Sequence, residues 1–513
     1  MRSVRFGEGG GHRRAHRPRA LGSGRGRTVS WWVFLVIIGM AVQFGISRLI
    51  GGSAETDDNQ DIVQPVVHDP YVPQDRLFTA SEPPVEPLGG APGMPVVSMT
   101  FDDGFADQIR AARTMSQYGM EGTFYVNSGT IGTPGHLTSD DLIEIANGGH
   151  EIGGHTVNHS IIEALPIEEA QREICIDRNT LLEWGFPVRS FAYPFGAATP
   201  PLEEAVEACG YNSARDLGDL RSVTGCFDCP VTEHPVPPQM MLVRAPAQVE
   251  ISWTIEDLQQ RVLEAMDVGT GLLPLTFHRL CTDDCNQISI REPLFAQFVA
   301  WLSELERAGR IAVRPMGDAL GGPVQPARPV PARSPAPAES NALTNPNLQG
   351  TAPELPECWS PASWGANSPT FATVPGETPG TVGLELTMDD HVDGDAKFMP
   401  VPDLGTCAPS VVPGHRYVLK VRYRSTAPTQ LVVQYRLARG VWTFGAASPE
   451  FASTEHPTWA EWTTPPIPVG VTGISFGLSL ARNGTLVTSG YEMYDRTPEP
   501  SSPVSDPHEG STR

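Results

Sequence analysis

The 513-residue sequence predicts an α/β fold, in which a (β/α) barrel is followed by a β-sandwich and preceded by a single transmembrane helix. Three observations predict this organisation. Strand-like and helix-like segments alternate over residues 93–320. Over residues 341–497 the helical pattern disappears, and short strands with alternating apolar and polar residues replace it. Near the N-terminus, a long uncharged apolar run follows a cluster of arginines.

The first 50 residues predict a membrane anchor. Residues 1–28 form a basic tail, and residues 29–50 contain an apolar run that can span ~30 Å of hydrocarbon if Arg48 snorkels. Because positive residues stay on the cytoplasmic side, the catalytic part of the chain is predicted to be extracellular, on a single-pass cell-membrane anchor. A cleaved signal peptide is the alternative. Residues 51–54 (GGSA) form a poor small-residue cleavage site, which favours the anchor.

Three segments have compositions that do not predict a packed core. Residues 51–92 are rich in Asp, Pro and Gly, and residues 321–340 are rich in Pro and Ala, so both are expected to be extended, non-globular tethers. The last segment, residues 498–513, is polar and is predicted to be disordered. These boundaries leave two globular regions, residues 93–320 and 341–497.

The first globular region has the alternation that a barrel of parallel strands requires. Apolar segments predict strands at Val96–Phe101, Thr123–Asn127, Arg189–Tyr193, Leu242–Ala245, Leu272–Phe277 and Ile311–Arg314. Apolar residues at three-to-four spacing predict helices at Asp107–Tyr118, Ser139–Ala146, Ile167–Trp184, Ile255–Met266 and Glu292–Ala308. Catalytic residues of such barrels lie at the C-terminal ends of the strands, so polar residues at strand ends are functional candidates.

Asp102 and Asp103 are the most informative of these candidates, because they end an apolar strand side by side. Adjacent carboxylates repel each other, so a site that keeps both ionised usually contains a cation. One Asp then binds the metal and the other handles protons. An acidic turn at the start of a helix is the alternative, since Asp-Asp-Gly is common turn chemistry.

His155 and His159 are four residues apart, which on a helix places both imidazoles on one face. Such a pair alone is more often a surface or core feature. With one Asp it completes a set of two imidazoles and a carboxylate, which leaves a coordination position open for water and so indicates catalysis. His278 closes a buried apolar run, and residues 193–196 (YPFG) stop an aromatic strand.

In their order along the chain, the motifs TFDDG, HTVNH, FAYPFG and TFH resemble those of the polysaccharide deacetylase family, carbohydrate esterase family 4, over residues 93–320. The resemblance implies a distorted barrel with fewer than eight regular units, and a hydrolase that removes N-acetyl groups. Carried over by position, it implies Asp102 as general base, His278 as general acid, Phe195 as backbone oxyanion donor, Tyr193 and Pro194 as substrate-binding residues, and Asp103, His155 and His159 as metal ligands.

The implied cofactor is a divalent metal. The donor set suits Zn²⁺ best, and Co²⁺ and Ni²⁺ are compatible with it. Two positions depart from the family pattern. Many members carry an Arg that orients the base where this chain has Ala192, and Arg189 lies three residues earlier. The family's Asp-rich motif, which orients the acid histidine, has only Asp216 and Asp219 as candidates.

The eight cysteines form an even set, which is consistent with disulfides in an oxidising compartment. Cys358 and Cys407 are expected to pair, because both lie in the last globular region. The alternative for four others is a zinc site, although they lack the compact spacing of a zinc knuckle. These four are Cys226, Cys229, Cys281 and Cys285.

Residues 341–497 predict a β-sandwich from alternating strands such as residues 416–423 and 430–435. The opening run Asn345-Pro346-Asn347-Leu348 and the C-terminal strand resemble those of jelly-roll carbohydrate-binding modules. Four tryptophans are candidates for stacking on sugar rings. Because aromatic residues in strands are more often core, only one or two are expected to be exposed. The four are Trp364, Trp442, Trp459 and Trp462.

The formal net charge of −23 includes the basic tail, so the exported part is more acidic still. This charge argues against nucleic acid as a partner, and a neutral N-acetylated sugar chain fits better than an anionic polymer. The leading hypothesis is a metal-dependent deacetylase of an extracellular or cell-wall polysaccharide of the N-acetylglucosamine type. Two alternatives are a catalytically idle, membrane-tethered glycan-binding protein, which Ala192 favours, and an O-acetyl esterase acting on xylan-type polysaccharide.

Overall fold

The computed structural model describes residues 77–79 and 81–496. The predicted basic tail, the anchor at residues 29–50, most of the first tether and the C-terminal tail lie outside the described residues. Within the described part of the chain, no helix combines the length and the apolar character that a membrane crossing requires.

The first region alternates strands and helices. Its strands are β1 (Val96–Phe101), β2 (Thr123–Val126), β3 (Glu151–Gly154), β4 (Ser190–Ala192), β5 (Ser213–Arg215), β6 (Leu272–Phe277), β7 (Arg279–Cys281), β8 (Ser289–Arg291) and β9 (Ala312–Val313). Its α-helices are α1 (Gln108–Gln117), α2 (Ser139–Asn147), α3 (Ile167–Glu183), α4 (Pro200–Ala208), α5 (Ile255–Val268), α6 (Glu292–Arg307) and α7 (Met316–Leu320). Two short 3₁₀ turns lie at Ile162–Ala164 and Pro194–Gly196.

Seven strands form one parallel sheet in the order β5-β4-β3-β2-β1-β6, with β9 pairing beside the start of β1. β1 and β6 pair along their whole length, and every residue of both strands is buried. Burial on both faces explains why each strand is a continuous apolar run in the sequence. The parallel sheet confirms the α/β prediction and fits a distorted, incomplete barrel.

The side of the barrel between β5 and β6 contains no regular strand. The predicted strand Leu242–Ala245 is wrong, because it makes only a single bridge, between Val243 and Arg215. The next residue, Arg244, donates its backbone N–H to the Glu233 carboxylate at 3.0 Å rather than to a neighbouring strand. A second isolated bridge joins Glu233 to Leu272 in β6. Irregular chain therefore spans this gap and accounts for the distortion.

Strand β3 has no counterpart in the sequence prediction, because its residues Glu-Ile-Gly-Gly contain one large apolar side chain. Its glycines are required by close neighbours. A Cβ atom at Gly153 would lie 2.5 Å from the ring of Tyr125, and one at Gly154 would overlap the Tyr211 hydroxyl. β3 is therefore an interior strand with β2 on one side and β4 on the other.

The two predicted tethers lack helices and strands in their described parts, but they are held on the surface of the barrel. Arg189 donates to the carbonyl of Pro84 at 2.8 Å in the first segment. In the second, Arg178 donates to the carbonyl of Gln325 at 2.7 Å, and Asn179 donates to the carbonyl of Arg328 at 2.8 Å. Buried arginine donors thus bind the proline-rich backbone, whose few N–H groups leave its carbonyls available.

The second region consists of strands only. They are β10 (Trp359–Trp364), β11 (Pro369–Pro375), β12 (Val382–Met388), β13 (Asp395–Pro400), β14 (Tyr417–Ser425), β15 (Gln430–Leu437), β16 (Trp442–Ala447), β17 (Thr454–Thr463), β18 (Val471–Leu480) and β19 (Gly484–Asp495). They form two antiparallel sheets, β10-β13-β18-β15-β16 and β11-β12-β19-β14-β17, which share one apolar core. Trp364 and Trp459 are exposed, whereas Trp442 and Trp462 are partly buried.

All eight cysteines are paired in the described residues. The predicted pair Cys358–Cys407 is confirmed. The alternative of a four-cysteine zinc site is wrong, because its residues form two separate short-range disulfides, Cys226–Cys229 and Cys281–Cys285. The remaining disulfide, Cys175–Cys209, joins α3 to the end of α4.

One buried histidine makes the stability of this fold dependent on pH. His150 accepts a hydrogen bond from Gly122 N–H at its Nδ1 atom, and its Nε2 atom lies 3.2 Å from the carbonyl of Ala112. Because the carbonyl only accepts, Nε2 carries the proton and the ring is neutral. Burial lowers the pKa of His150 to about 4, although the hydrogen bond to Ala112 acts in the opposite direction.

We expect the free energy of unfolding to fall as the pH decreases from about 6.5 to about 4, because only the unfolded chain binds this proton in that window. The loss from His150 alone should approach about 3 kcal/mol. His150→Gln should remove this part of the slope in denaturant unfolding measured across the window. The matched change at the exposed His456 should leave the slope unaltered. Parallel curves for the parent and His150→Gln would show that the histidine is not buried neutral.

Candidate metal and catalytic site

Asp103, His155 and His159 are distant in sequence and converge at the C-terminal edge of the parallel sheet. Their ligand atoms all lie within 4.8 Å of one another. The Nε2 atoms of His155 and His159 lie 3.3 and 3.1 Å from Asp103 Oδ1. This oxygen is buried and has no hydrogen-bond partner of acceptable geometry in the described structure. The three atoms therefore face a common point without satisfying one another.

The segment that carries the two histidines is not a helix, so the helical interpretation of their four-residue spacing is wrong. Residues 155–159, here called the histidine loop, follow β3 as irregular chain. Thr156 and His159 have positive φ values of 69° and 53°. Two left-handed residues reverse the chain sharply and bring His159 back beside His155, with 4.9 Å between their ring centroids.

Three polar groups hold the histidine loop in this shape. Asp177 of α3 is fully buried, and its carboxylate accepts the backbone N–H groups of Ser128 and His155 at 2.8 and 3.0 Å. Glu173, one turn earlier, accepts from the backbone and side chain of Asn158, both at 2.9 Å. The side chain of Asn127 donates to the carbonyl of Thr156 at 3.1 Å. Hydrogen bonds from residues outside the loop thus stabilise its two left-handed backbone conformations.

Hydrogen bonding also determines the tautomer of His155. Its Nδ1 atom lies 2.7 Å from the carbonyl of Ala192, so Nδ1 carries the proton and donates it. In the neutral ring the lone pair of Nε2 then points towards Asp103. Burial raises the pKa of Asp103, but hydrogen bonds and positive charge from the neighbouring imidazoles of His155 and His159 outweigh burial and lower that pKa well below its usual value. When His155 is the neutral tautomer, a cation bound between the groups would supply that positive charge instead, as in a metal-binding site.

Asp102 lies beside this group and is paired with a residue that the sequence analysis did not select. Its Oδ2 atom accepts a hydrogen bond from Arg215 Nη2, and both side chains are buried. Its Oδ1 atom is buried without a partner. Arg215 ends β5, so it occupies the same edge of the sheet as the other site residues, which is the signal that identifies it. Arg189 does not reach Asp102 and instead pairs with Asp318.

His278 follows β6 and is buried. Its Nδ1 atom has no hydrogen-bond partner among the described residues. Neither candidate for orienting it does so: Asp216 accepts instead from the N–H of Leu217 at 2.7 Å, and no contact joins Asp219 to His278. Gln108 donates to the carbonyls of both Asp102 and His278, which ties the two strand ends together. Burial lowers the pKa of His278, while the charges of Asp102 and Asp103 oppose that shift.

In the aromatic motif, residues 193–195, only Phe195 exposes its side chain. Tyr193 and Pro194 were assigned to substrate binding, but both side chains are buried, and the Tyr193 hydroxyl donates to the carbonyl of Met241 at 2.8 Å. Both side chains pack inside the turn, and their role in substrate binding stays a prediction. Phe195 has a positive φ of 60° and is 56% exposed, and its ring lies 4.6 Å from that of His159. The oxyanion role of its backbone N–H stays a prediction.

The buried pair of Asp102 and Arg215 has a measurable energetic signature. Arg215→Met leaves Asp102 buried without a counter-charge, so we expect the free energy of unfolding to fall by about 3–5 kcal/mol. Adding Asp102→Leu should restore much of that loss, since no buried charge is then left unpaired. Arg482→Met, at the half-exposed pair with Glu450, should cost about 1 kcal/mol or less. Denaturant unfolding measures the parent, Arg215→Met, Asp102→Leu, the double variant and Arg482→Met, and additive effects of the two buried changes would contradict the pairing.

Comparison with known proteins agrees with these motifs in part of the chain. Residues 89–214 match the family model described as polysaccharide deacetylase. Among curated proteins, the chain is 31% identical over 123 residues to YxkH of Bacillus subtilis (strain 168), which is named as a polysaccharide deacetylase. That similarity covers 23% of this chain and 44% of the relative, so the chain spans less than half of the relative's length.

Two solved structures illustrate the similarity at lower identity. A polysaccharide deacetylase from Bacillus cereus is 18% identical, with 32% of this chain and 50% of that chain covered and a TM-score of 0.27. A family 4 acetyl xylan esterase from Clostridium thermocellum, in complex with a cobalt ion, is 17% identical, with 44% and 89% covered and a TM-score of 0.29. The match to the polysaccharide deacetylase model lies within residues 89–214 of this chain.

Proposed function

We propose that the protein is a metal-dependent hydrolase that removes N-acetyl groups from an extracellular or cell-wall polysaccharide of the N-acetylglucosamine type. The observation that carries this proposal is the convergence of Asp103, His155 and His159, directly beside the buried pair of Asp102 and Arg215. The match of residues 89–214 to the polysaccharide deacetylase model supports the reaction class.

The residues present fit a divalent cation. The Nε2 atoms of His155 and His159 lie 3.3 and 3.1 Å from the buried Asp103 Oδ1 atom, and the proton on Nδ1 of His155 leaves its Nε2 lone pair facing that oxygen. Two acceptors 3.3 Å apart, His155 Nε2 and Asp103 Oδ1, repel each other unless a cation lies between them. Two imidazoles and one carboxylate suit Zn²⁺ best, and Co²⁺ or Ni²⁺ is compatible with the same donors.

A cation bound by these three residues would polarise the acetyl carbonyl and lower the pKa of water. Asp102 is placed to accept the proton of the attacking water, because Arg215 holds one of its oxygens and leaves Oδ1 without a protein partner. His278 follows β6, the strand paired with β1, and so lies at the same sheet edge as Asp102. From there it is placed to donate a proton to the departing amine.

The position of Arg215 also bears on the alternative of a catalytically idle glycan-binding protein. Ala192 favours that alternative only if no other cation orients the base, and Arg215 occupies the required place from the next strand, β5. A buried arginine and a buried aspartate are costly to maintain in a scaffold without chemistry. The pair therefore supports an active enzyme.

We further propose that the catalytic region is extracellular, on a single-pass membrane anchor at residues 29–50. The arginine-rich start followed by an apolar run supports this topology. The four disulfides support an oxidising location for the region. The exposed Trp364 and Trp459 support a second proposal, that the β-sandwich contacts sugar rings.

Acetate release tests the reaction and the substrate together. The substrates are N-acetylglucosamine oligomers, peptidoglycan and acetylxylan, and we expect release from one of the first two. Asp102→Asn should lower kcat by roughly 10²–10⁴-fold, because the base is lost. Asp140→Asn, the same change at an exposed position, should leave kcat unaltered. Release from acetylxylan alone would favour the O-acetyl esterase, and release from none would favour the idle protein.

Metal removal tests the cofactor separately from the substrate. Dialysis against a chelator should abolish acetate release, and about one equivalent of Zn²⁺ or Co²⁺ should restore it. His159→Ala should weaken metal binding measured by calorimetry, whereas His456→Ala, at an exposed position, should not. Full activity in chelated protein with no residual metal would contradict the proposed cofactor.

A further inference from the structure

Helix α3 carries a row of three buried carboxylates that points towards the histidine loop. Glu169, Glu173 and Asp177 are spaced by four residues, so they lie on one face of the helix. Their exposed fractions are 2%, 3% and 0%. Asp177 and Glu173 hold the histidine loop, as described above. The third carboxylate of the row, Glu169, has partners outside the loop.

Glu169 binds the β-sandwich. It accepts from the backbone N–H of Leu404 at 2.5 Å and from the N–H and hydroxyl of Thr406 at 3.2 and 3.0 Å. Arg172 of the same helix donates to the Thr406 hydroxyl at 2.8 Å and also pairs with Glu169. These charged side chains are buried by the contact, which therefore resembles the interior of a protein rather than a loose encounter between tethered domains.

A second contact reaches the histidine loop itself. The turn between β15 and β16 contains Arg439, which donates to the carbonyl of Ser128 at 2.6 Å. The next residue, Gly440, lies against Val157 at the centre of the histidine loop: a Cβ atom at Gly440 would be 3.1 Å from Val157 Cγ1 and 2.7 Å from Leu404 Cδ2. The sandwich thus contacts two segments beside the site: the chain after β2, at Ser128, and the histidine loop after β3, at Val157.

We propose that the β-sandwich is a positioning element for the histidine loop, in addition to any contact it makes with sugar. It clamps the loop between the β15–β16 turn on one side and the carboxylate row of α3 on the other. Arg439 and Gly440 are the positioning residues. This inference rests on the proposed function, because it concerns the geometry of the same metal ligands. Its chemical consequence is that the metal affinity of the barrel depends on the sandwich.

Gly440→Ala tests the clamp in the full chain, since the added methyl group pushes against Leu404 and Val157. Gly380→Ala is the matched control. Gly380 lies in the same sandwich and also has a positive φ, 80° compared with 88° at Gly440, but a Cβ atom there meets nothing within 4 Å. The two substitutions therefore share the backbone strain and differ in the contact. Arg439→Ala is a second variant that needs no change at glycine, and Arg439→Lys should restore part of the effect.

The first readout is hydrogen–deuterium exchange of the peptide that covers residues 155–159, in metal-free protein. We expect exchange to be at least about tenfold faster in Gly440→Ala and Arg439→Ala than in the parent and Gly380→Ala. The second readout is the dissociation constant for Co²⁺, which should rise about 10–100-fold. On short N-acetylglucosamine oligomers, kcat should fall while KM stays within twofold, because the clamp acts on the metal ligands. A role of the sandwich in sugar binding would change KM instead.

Unchanged exchange and unchanged Co²⁺ affinity in both variants, with a parent that binds Co²⁺ and releases acetate, would overturn the inference and leave the proposed function intact. A parent that binds no Co²⁺ would overturn both. If Gly440→Ala fails to fold, Arg439→Ala decides by the same two readouts.

Discussion

Two adjacent carboxylates directly after β1, one buried and one partly buried, are the constraint to which the surrounding residues respond. Neighbouring buried charges of the same sign are costly, so each must be compensated separately. Asp102 is compensated by Arg215, which comes from the far edge of the sheet. Asp103 faces His155 and His159, and His155 is held by the carbonyl of Ala192 and the carboxylate of Asp177. The parallel sheet makes this separate compensation possible, because the two adjacent carboxylates, Arg215 and both histidines lie at or after the C-terminal ends of its strands, at one edge.

The outer supports of the site are buried carboxyl groups. Burial raises the pKa of Glu173 and raises that of Asp177 well above its usual value. Backbone N–H groups that donate to both residues act in the opposite direction, because they stabilise the ionised form. A carboxylate that accepts two N–H groups from two different loops fixes their separation. The carboxyl groups of α3 therefore help to fix the shape of the histidine loop.

The sequence predicts part of the sheet, and the structure brings the three predicted ligands together, but the sequence does not show how these residues are held. Continuous apolar runs identify β1 and β6, since parallel strands covered on both faces leave no polar position. β3 could not be predicted in this way, because its glycines reflect contacts with Tyr125 and Tyr211 that are distant in sequence. The four-residue spacing of His155 and His159 suggested a helix, whereas left-handed residues create the same proximity. Arg215 was missed because its partner lies 113 positions away.

The most direct measurement is the anomalous scattering of zinc in crystals grown with Zn²⁺. We expect a single strong peak, at about 2.0–2.2 Å from the carboxylate of Asp103 and from the Nε2 atoms of both His155 and His159. Asp102 should remain paired with Arg215 in the same crystals. A zinc peak bound elsewhere, or a fully loaded site that does not include all three side chains, would contradict the assignment of this cluster as the metal centre.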